Sequence, residues 1–122
     1  MKNIVIIDTN GLMIPGQFGL DIFSELEQLG YDSYIVAGAC VRELEKVRAS
    51  GRGKDKMAAK LALSLLSRCT IIEENGFADD AIFEMAIKMK ASVLTNDAEL
   101  KKRLCSKGVT IVYLRDRTRL VI

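Results

Sequence analysis

The chain has no histidine and no tryptophan, a single proline, and three cysteines set far apart. Without histidine, Ser-His-Asp and Cys-His nucleophilic schemes, histidine general bases and histidine-ligated zinc are all excluded. Cys40, Cys69 and Cys105 are odd in number and each has apolar neighbours, so neither a disulfide framework nor a zinc knuckle is indicated; buried thiols are expected. No apolar run approaches the roughly 20 residues of a membrane span, and the N-terminal residues lack the layout of a signal peptide. No membrane partner is therefore expected, and the expected address is the cytoplasm. A formal net charge of +2 is too small to argue nucleic-acid binding by itself, so the distribution of charge must carry that argument. Acid, base or metal chemistry must run on carboxylates.

What is present is an ordinary globular composition, 49% hydrophobic and 28% charged over 122 residues, enough for one domain spanning 1–122 around a single core. The segment NIVIIDTNG runs Ile4, Val5, Ile6 and Ile7 into Asp8. Four consecutive β-branched residues read as a strand buried on both faces, as at the centre of a parallel sheet. An aspartate closing that strand has two readings. It forms a turn with Thr9 and Asn10, or it lies in the crevice beyond the strand ends, where open α/β sheets place their ligands.

GLMIPGQFG follows and reads as a Gly-rich loop around Pro15. Helical patterns are expected over Leu20–Leu29, 39–50, Lys56–Ser67, 78–90 and 96–108. Apolar runs at Tyr34–Val36, 69–72, 92–95 and 109–114 read as strands, with CTII a short buried one. GRGKDK reads as a polar connector between helices, and RDRTRLVI as an edge strand or a surface segment. Strands alternating with helices predict a three-layer α/β/α sandwich with a central, mainly parallel sheet of about five strands.

On this scheme the acids stop looking scattered. Asp8 ends the first strand and Asp97 follows SVLT in the same way, across Asn96, so both emerge at one edge of the sheet. Glu43 lies near the start of the second helix and Asp79 at the start of the fourth, and helices that follow parallel strands begin at that same edge. Each acid alone also has a structural reading, since Asp79, Asp80 or Asp97 can cap or start a helix, where the dipole favours acids. Glu43 shares its helical face with Val47, whereas Glu45 reads as a surface partner for Arg42. Clustered carboxylates raise one another's pKa and cost stability unless a cation compensates them. An all-oxygen donor set favours Mg²⁺ or Mn²⁺, ions that activate a water and neutralise charge developing on a phosphodiester.

IVIIDTNGLM, VAGACVRELEKV, FADDAIFEMAIKMKASVLTNDAELKKRL and GVTIVYLRDR, in that order, resemble the PIN domain, a metal-dependent ribonuclease fold, over nearly the whole chain. The resemblance implies an endoribonuclease whose metal and catalytic site is Asp8, Glu43, Asp79 and Asp97. Thr95 and Asn10 are implied to orient ligands or bond a phosphate, with Asn96 and Asp80 as further supporting residues, Asp80 as a neighbouring acid. Asp79 is preferred to Asp80 because family members commonly carry an Asp three before an Ile and seven before an Ala, matched here by Ile82 and Ala86. Within the family the ADD helix start, CVRELEKV and YLR look more like the ribosomal-RNA-processing nucleases of archaea and eukaryotes than like VapC-type toxins, and MIPGQFGLDIF looks archaeal. The alternatives are a non-catalytic PIN scaffold that binds RNA or protein, and a VapC-type toxin ribonuclease.

The basic residues fit an RNA partner, single-stranded or looped. Arg42, Lys46, Arg52 and Lys54 cluster around the second helix and its connector, Lys101 follows the Asp97 segment, and Arg115 lies near the end. Placed on either side of an acidic centre they would grip phosphates with weak sequence selectivity. Three tyrosines and four phenylalanines offer no clear stacking platform, so base-specific readout is not expected. A homodimer and a processing complex are the protein partnerships left open. A haloacid-dehalogenase-type phosphatase would want a second acid where Asn10 stands. A receiver domain would want an acceptor Asp after its third strand, where this chain has Glu73, Glu74 and Asn75.

Overall fold

The computed structural model describes residues 2–122. Among them the chain forms β1 (Ile4–Ile7), α1 (Thr9–Phe18), α2 (Ile22–Gln28), β2 (Ser33–Ala37), α3 (Gly38–Ser50) and α4 (Gly53–Leu65). These are followed by β3 (Thr70–Ile72), α5 (Ala78–Met89), β4 (Ser92–Leu94), α6 (Ala98–Cys105), β5 (Ile111–Arg115) and β6 (Arg119–Val121). The strands make one sheet in the order β3-β2-β1-β4-β5-β6, parallel from β3 through β5, with β6 antiparallel at the edge. Helices on both faces complete a three-layer α/β/α sandwich. The sheet has six strands, one more than the periodicity suggests, because RLV after the Asp116–Arg117 turn pairs with β5.

β1 is central, and its β-branched run is explained by its place. Val5, Ile6 and Ile7 are fully buried, with Ile6 paired between Ile35 of β2 and Val93 of β4. The chain leaves β1 toward β2 and returns on the other side as β4, so the direction of winding reverses between these two strands. Such a reversal opens a crevice at the carboxyl ends of the strands. Asp8 follows β1 directly, and Thr95, Asn96 and Asp97 follow β4.

The GLMIPGQFG segment departs from its expected form. It is the body of α1, started by the Asp8 side chain, which accepts a hydrogen bond from the Gly11 N–H at 2.6 Å, and stopped at Gly19 with φ +70°. Gly11 and Gly16 serve contact, not looseness. A Cβ on Gly16 would fall 2.8 Å from the Ala58 Cβ, so α1 and α4 cross almost backbone to backbone. Pro15 sits inside the helix, where it removes one internal hydrogen bond. Burial of Leu12, Met13 and Ile14 on the same helix offsets that loss.

Other expectations shift for similar reasons. Most of the GRGKDK connector is the first turn of α4. CTII lies at the sheet's edge, not in its interior, and Ile71 is exposed. Of the three thiols Cys40 is buried, Cys69 half-buried and Cys105 exposed, since Cys105 ends α6 on its outer side. No helix among the described residues is long and apolar enough to cross a membrane.

Candidate active site

Asp8, Glu43, Asp79 and Asp97 line one cavity of about 360 Å³ at the carboxyl end of the sheet, together with Thr9, Asn10 and Cys40. Four separate segments supply them. Asp8 and Asp97 are N-caps: one oxygen of Asp97 accepts from the Leu100 N–H at 2.9 Å, as Asp8 accepts from Gly11. The capping reading and the site reading are thus compatible, since a carboxylate that caps with one oxygen keeps another for a ligand. Glu43 stands in the second turn of α3, where the Thr9 hydroxyl donates to it at 2.8 Å. Asp79 occupies the first turn of α5, where the helix dipole favours an acid.

Asp8 is almost completely buried. Burial pushes its carboxyl up from the model-compound 3.8 to about 6, with smaller upward pushes from Asp79 and Asp97; hydrogen bonds from Thr95 and Gly11 act the other way. Asp79 is raised as well, by desolvation first, then by Asp97 and Glu43. Thr95 is fully buried beside them, and its hydroxyl oxygen accepts from the Asp97 N–H at 3.1 Å. It joins the two capping acids into one unit. Burial pushes the Cys40 thiol up to about 11, so it faces the cavity as S–H and not as a thiolate.

The donor set therefore suits a hard divalent cation: carboxylate oxygens, no imidazole, no thiolate, and a concentration of negative charge that a cation would relieve. Among the described residues no three of these side chains are drawn tightly enough together to hold a metal ion as they stand. Rotation of the exposed Glu43 and Asp79 side chains would be needed to close the set.

The remaining expected residues divide. Asn10 is exposed and lines the cavity. Asn96 points its Oδ1 at the Leu114 N–H, 3.1 Å away, tying its loop to β5. Asp80 turns aside to Arg103, at 3.0 Å. Arg42 and Lys46 line an adjoining hollow of about 510 Å³ that shares Glu43 and Asp79 with the acidic cavity. Arg52 and Lys54 lie at the start of α4, Lys101 sits over the Tyr113 ring, and Arg115 ends β5, all outside both linings. Arg42 pairs with Glu73 at 3.2 Å, not with Glu45. A Cβ on Gly38 would run into the Glu73 carboxylate, so the glycine at the start of α3 is what lets that carboxylate approach the helix end.

Three residues near the site escaped the sequence reading. Thr9 was visible only as a turn former beside Asp8. Glu73 follows the edge strand β3, and only the β2–β3 pairing brings it to α3. Phe77 lines the hollow with Arg42 and is 84% exposed, a position no hydrophobic pattern discloses.

Residues 5–117 match the family model of the PIN like domain. The chain belongs to the PIN-like family. The chain is similar to ribonuclease VapC9 of Archaeoglobus fulgidus, 33% identical over 117 residues that cover 96% of this chain and 87% of that protein. Ribonuclease VapC4 of Methanocaldococcus jannaschii is 26% identical, over 93% of this chain and 91% of that protein. Among solved PIN structures, the PIN domain endonuclease Utp24 superposes with a TM-score of 0.77 at 25% identity, over 96% of this chain and 90% of that one. VapBC2 from Rickettsia felis, bound to a promoter DNA fragment, shares the fold with a TM-score of 0.66 at 19% identity, over 90% of this chain and 98% of that one.

Proposed function

We propose that this PIN-like protein is a divalent-metal-dependent endoribonuclease that hydrolyses phosphodiester bonds in single-stranded or looped RNA. The observation that carries the reading is the gathering of Asp8, Glu43, Asp79 and Asp97 from four segments onto one cavity. Relatives named as ribonucleases and a structural neighbour named as an endonuclease support the same reaction.

The four carboxylates would hold Mg²⁺ or Mn²⁺, which when bound supplies activation of water and neutralisation of charge on the scissile phosphate. Asp8 and Asp97 are the fixed pair, since each is tied to a helix N-terminus and both are joined through Thr95. Glu43 and Asp79 are the adjustable pair, on exposed helix faces across the cavity. The Thr9 hydroxyl holds Glu43 toward the centre. Arg42 and Lys46 flank the acids and would take a neighbouring phosphate, an interaction that weakens as salt rises.

The biological setting favoured by the motifs is processing of ribosomal or other RNA. A toxin-type ribonuclease is the second reading, favoured by the 33% identity to VapC9 across 96% of the chain. The deciding experiment is cleavage of an end-labelled, partly structured RNA by purified protein with Mn²⁺, Mg²⁺ or EDTA, beside Asp8→Asn. Metal-dependent cutting that drops by about 100-fold or more in the variant is expected. Retention of RNA without cutting would move the assignment to a scaffold. Growth arrest on expression, relieved by Asp8→Asn, would favour the toxin over the processing enzyme.

A further inference from the structure

We propose that Phe77 is a stacking residue for an unpaired base of the RNA strand, seated one step from the acidic centre, an inference that rests on the ribonuclease reading above. Phe77 occupies the N-cap of α5, where Ser, Thr, Asp or Asn would satisfy the first free N–H groups and a phenyl ring has no oxygen to do so. At 84% exposure it adds almost nothing to the core. The preceding Gly76, at φ +99°, turns the chain into the helix with the ring left outside. A position that breaks a capping rule and a burial rule together, with no gain in packing, is where a functional constraint is to be sought.

The surroundings specify the occupant. Phe77 lines a hollow with Arg42 and Lys46, and the same hollow is bounded by Glu43 and Asp79 of the acidic cavity. A strand crossing the acids would bring a phosphate beside the two cations and the attached base over the ring. Asp79 is only two residues along the chain from Phe77, so the ring and the acid are set by the same helix start. Stacking needs a free base face, which a duplex does not offer, and it reads no sequence because every base has one. The Arg42–Glu73 ion pair is solvent-exposed, so a phosphate can replace the glutamate at small cost. Phe77 would thereby confer preference for single-stranded or looped RNA over duplex.

The test is the affinity of the full chain for a short fluorescent single-stranded RNA, measured by anisotropy in EDTA, for wild type, Phe77→Ala, Phe77→Leu and Phe77→Trp. Phe77→Ala is expected to weaken binding about tenfold, Phe77→Leu nearly as much, and Phe77→Trp little or not at all. Duplex RNA should bind all four alike. An RNA carrying one abasic nucleotide should lose affinity for wild type and not for Phe77→Ala. Circular dichroism checks that the exposed substitution leaves the fold intact. Equal affinity of Phe77→Ala and wild type for single-stranded RNA overturns the inference, and metal-dependent cutting by wild type would then still uphold the ribonuclease reading. A changed oligomeric state in Phe77→Ala with unchanged RNA affinity also overturns it, and assigns the ring to a protein contact. Failure of wild type to bind single-stranded RNA in EDTA also overturns it, and the ribonuclease reading then stands or falls on cutting with Mn²⁺ or Mg²⁺. Loss of affinity in Phe77→Ala without cutting by wild type upholds the stacking role and confines the protein to binding.

Discussion

The two ends of the sheet are built by opposite rules. At the amino end polar groups are matched one to one: the Tyr31 hydroxyl with Ser92 at 2.7 Å, and Asn3 with the Asp32 carboxylate and the Gly30 carbonyl at 2.9 and 2.8 Å. The helices finishing near there carry basic residues in their last turns, Lys88 in α5 and Lys102 and Arg103 in α6, as their dipoles favour. At the carboxyl end a buried aspartate titrates near 6, four acids face one cavity, and a phenylalanine stands where a helix wants a cap. The acids at the carboxyl end are hydrogen-bonded too, by Gly11, Leu100 and Thr9, so what sets that end apart is gathered like charge and not poor packing.

The contrast can be broken most forcefully at Asp8. Its carboxyl titrates near 3.8 when unfolded and near 6 when folded, so the folded state binds the proton more tightly. The stability this gives is fully present below 3.8 and is lost as the pH rises through about 6. At neutral pH the ionised group costs about 3 kcal/mol. Asp8→Asn is therefore expected to resist urea better than wild type at about pH 8, by up to ~3 kcal/mol, with the advantage shrinking as the pH falls below about 6. Equal stability at alkaline pH would show that Asp8 is not the strained member of the cluster.

Adding the proposed cation should offset part of the same cost. Mn²⁺ or Mg²⁺ at a hundred times its dissociation constant would stabilise wild type by about 2.7 kcal/mol. Much less is expected for Asp8→Asn, and a calorimetric scan with and without EDTA reads the difference. A matched change at the amino end sharpens the comparison: Tyr31→Phe removes the bond to Ser92 and should cost about 1 kcal/mol, with no dependence on divalent ions. The smallest effect is expected at Phe77, where Phe77→Ser supplies the absent cap and should add about 0.5–1 kcal/mol, read from the urea midpoint. A serine that destabilised the protein would mean that the ring has a structural task.

How much of this is legible in the sequence follows from the range over which each feature is determined. β1 and the acids closing β1 and β4 announce themselves locally, because a β-branched run ending in a carboxylate has few uses. The chain order of strands and helices was enough for the layered architecture. α1 was hidden because glycine and proline carry two meanings, and only the approach of Ala58 shows that Gly16 is there for its small size. The exposure of β3 and Cys105 depends on which strand is outermost and which way α6 faces, matters of tertiary placement. The partners of Arg42 and Asp80 lie 31 and 23 residues away in sequence, beyond any periodicity. Phe77 counted as one aromatic among seven, and nothing local marks it as the one outside.

The backbone contact between α1 and α4 reaches further than the packing it serves. Gly16 and Asp8 sit at opposite ends of one short helix, about 12 Å apart at 1.5 Å per residue. With one end pressed against Ala58 and the other bonded to a strand-end carboxylate, α1 behaves as a strut whose length and angle are set from the far side. A single methyl group at position 16 would lever the helix about its sheet end. The tilt would turn the Gly11 N–H that bonds Asp8 at that pivot, so a steric decision made in the helical layer bears on an electrostatic arrangement it never touches.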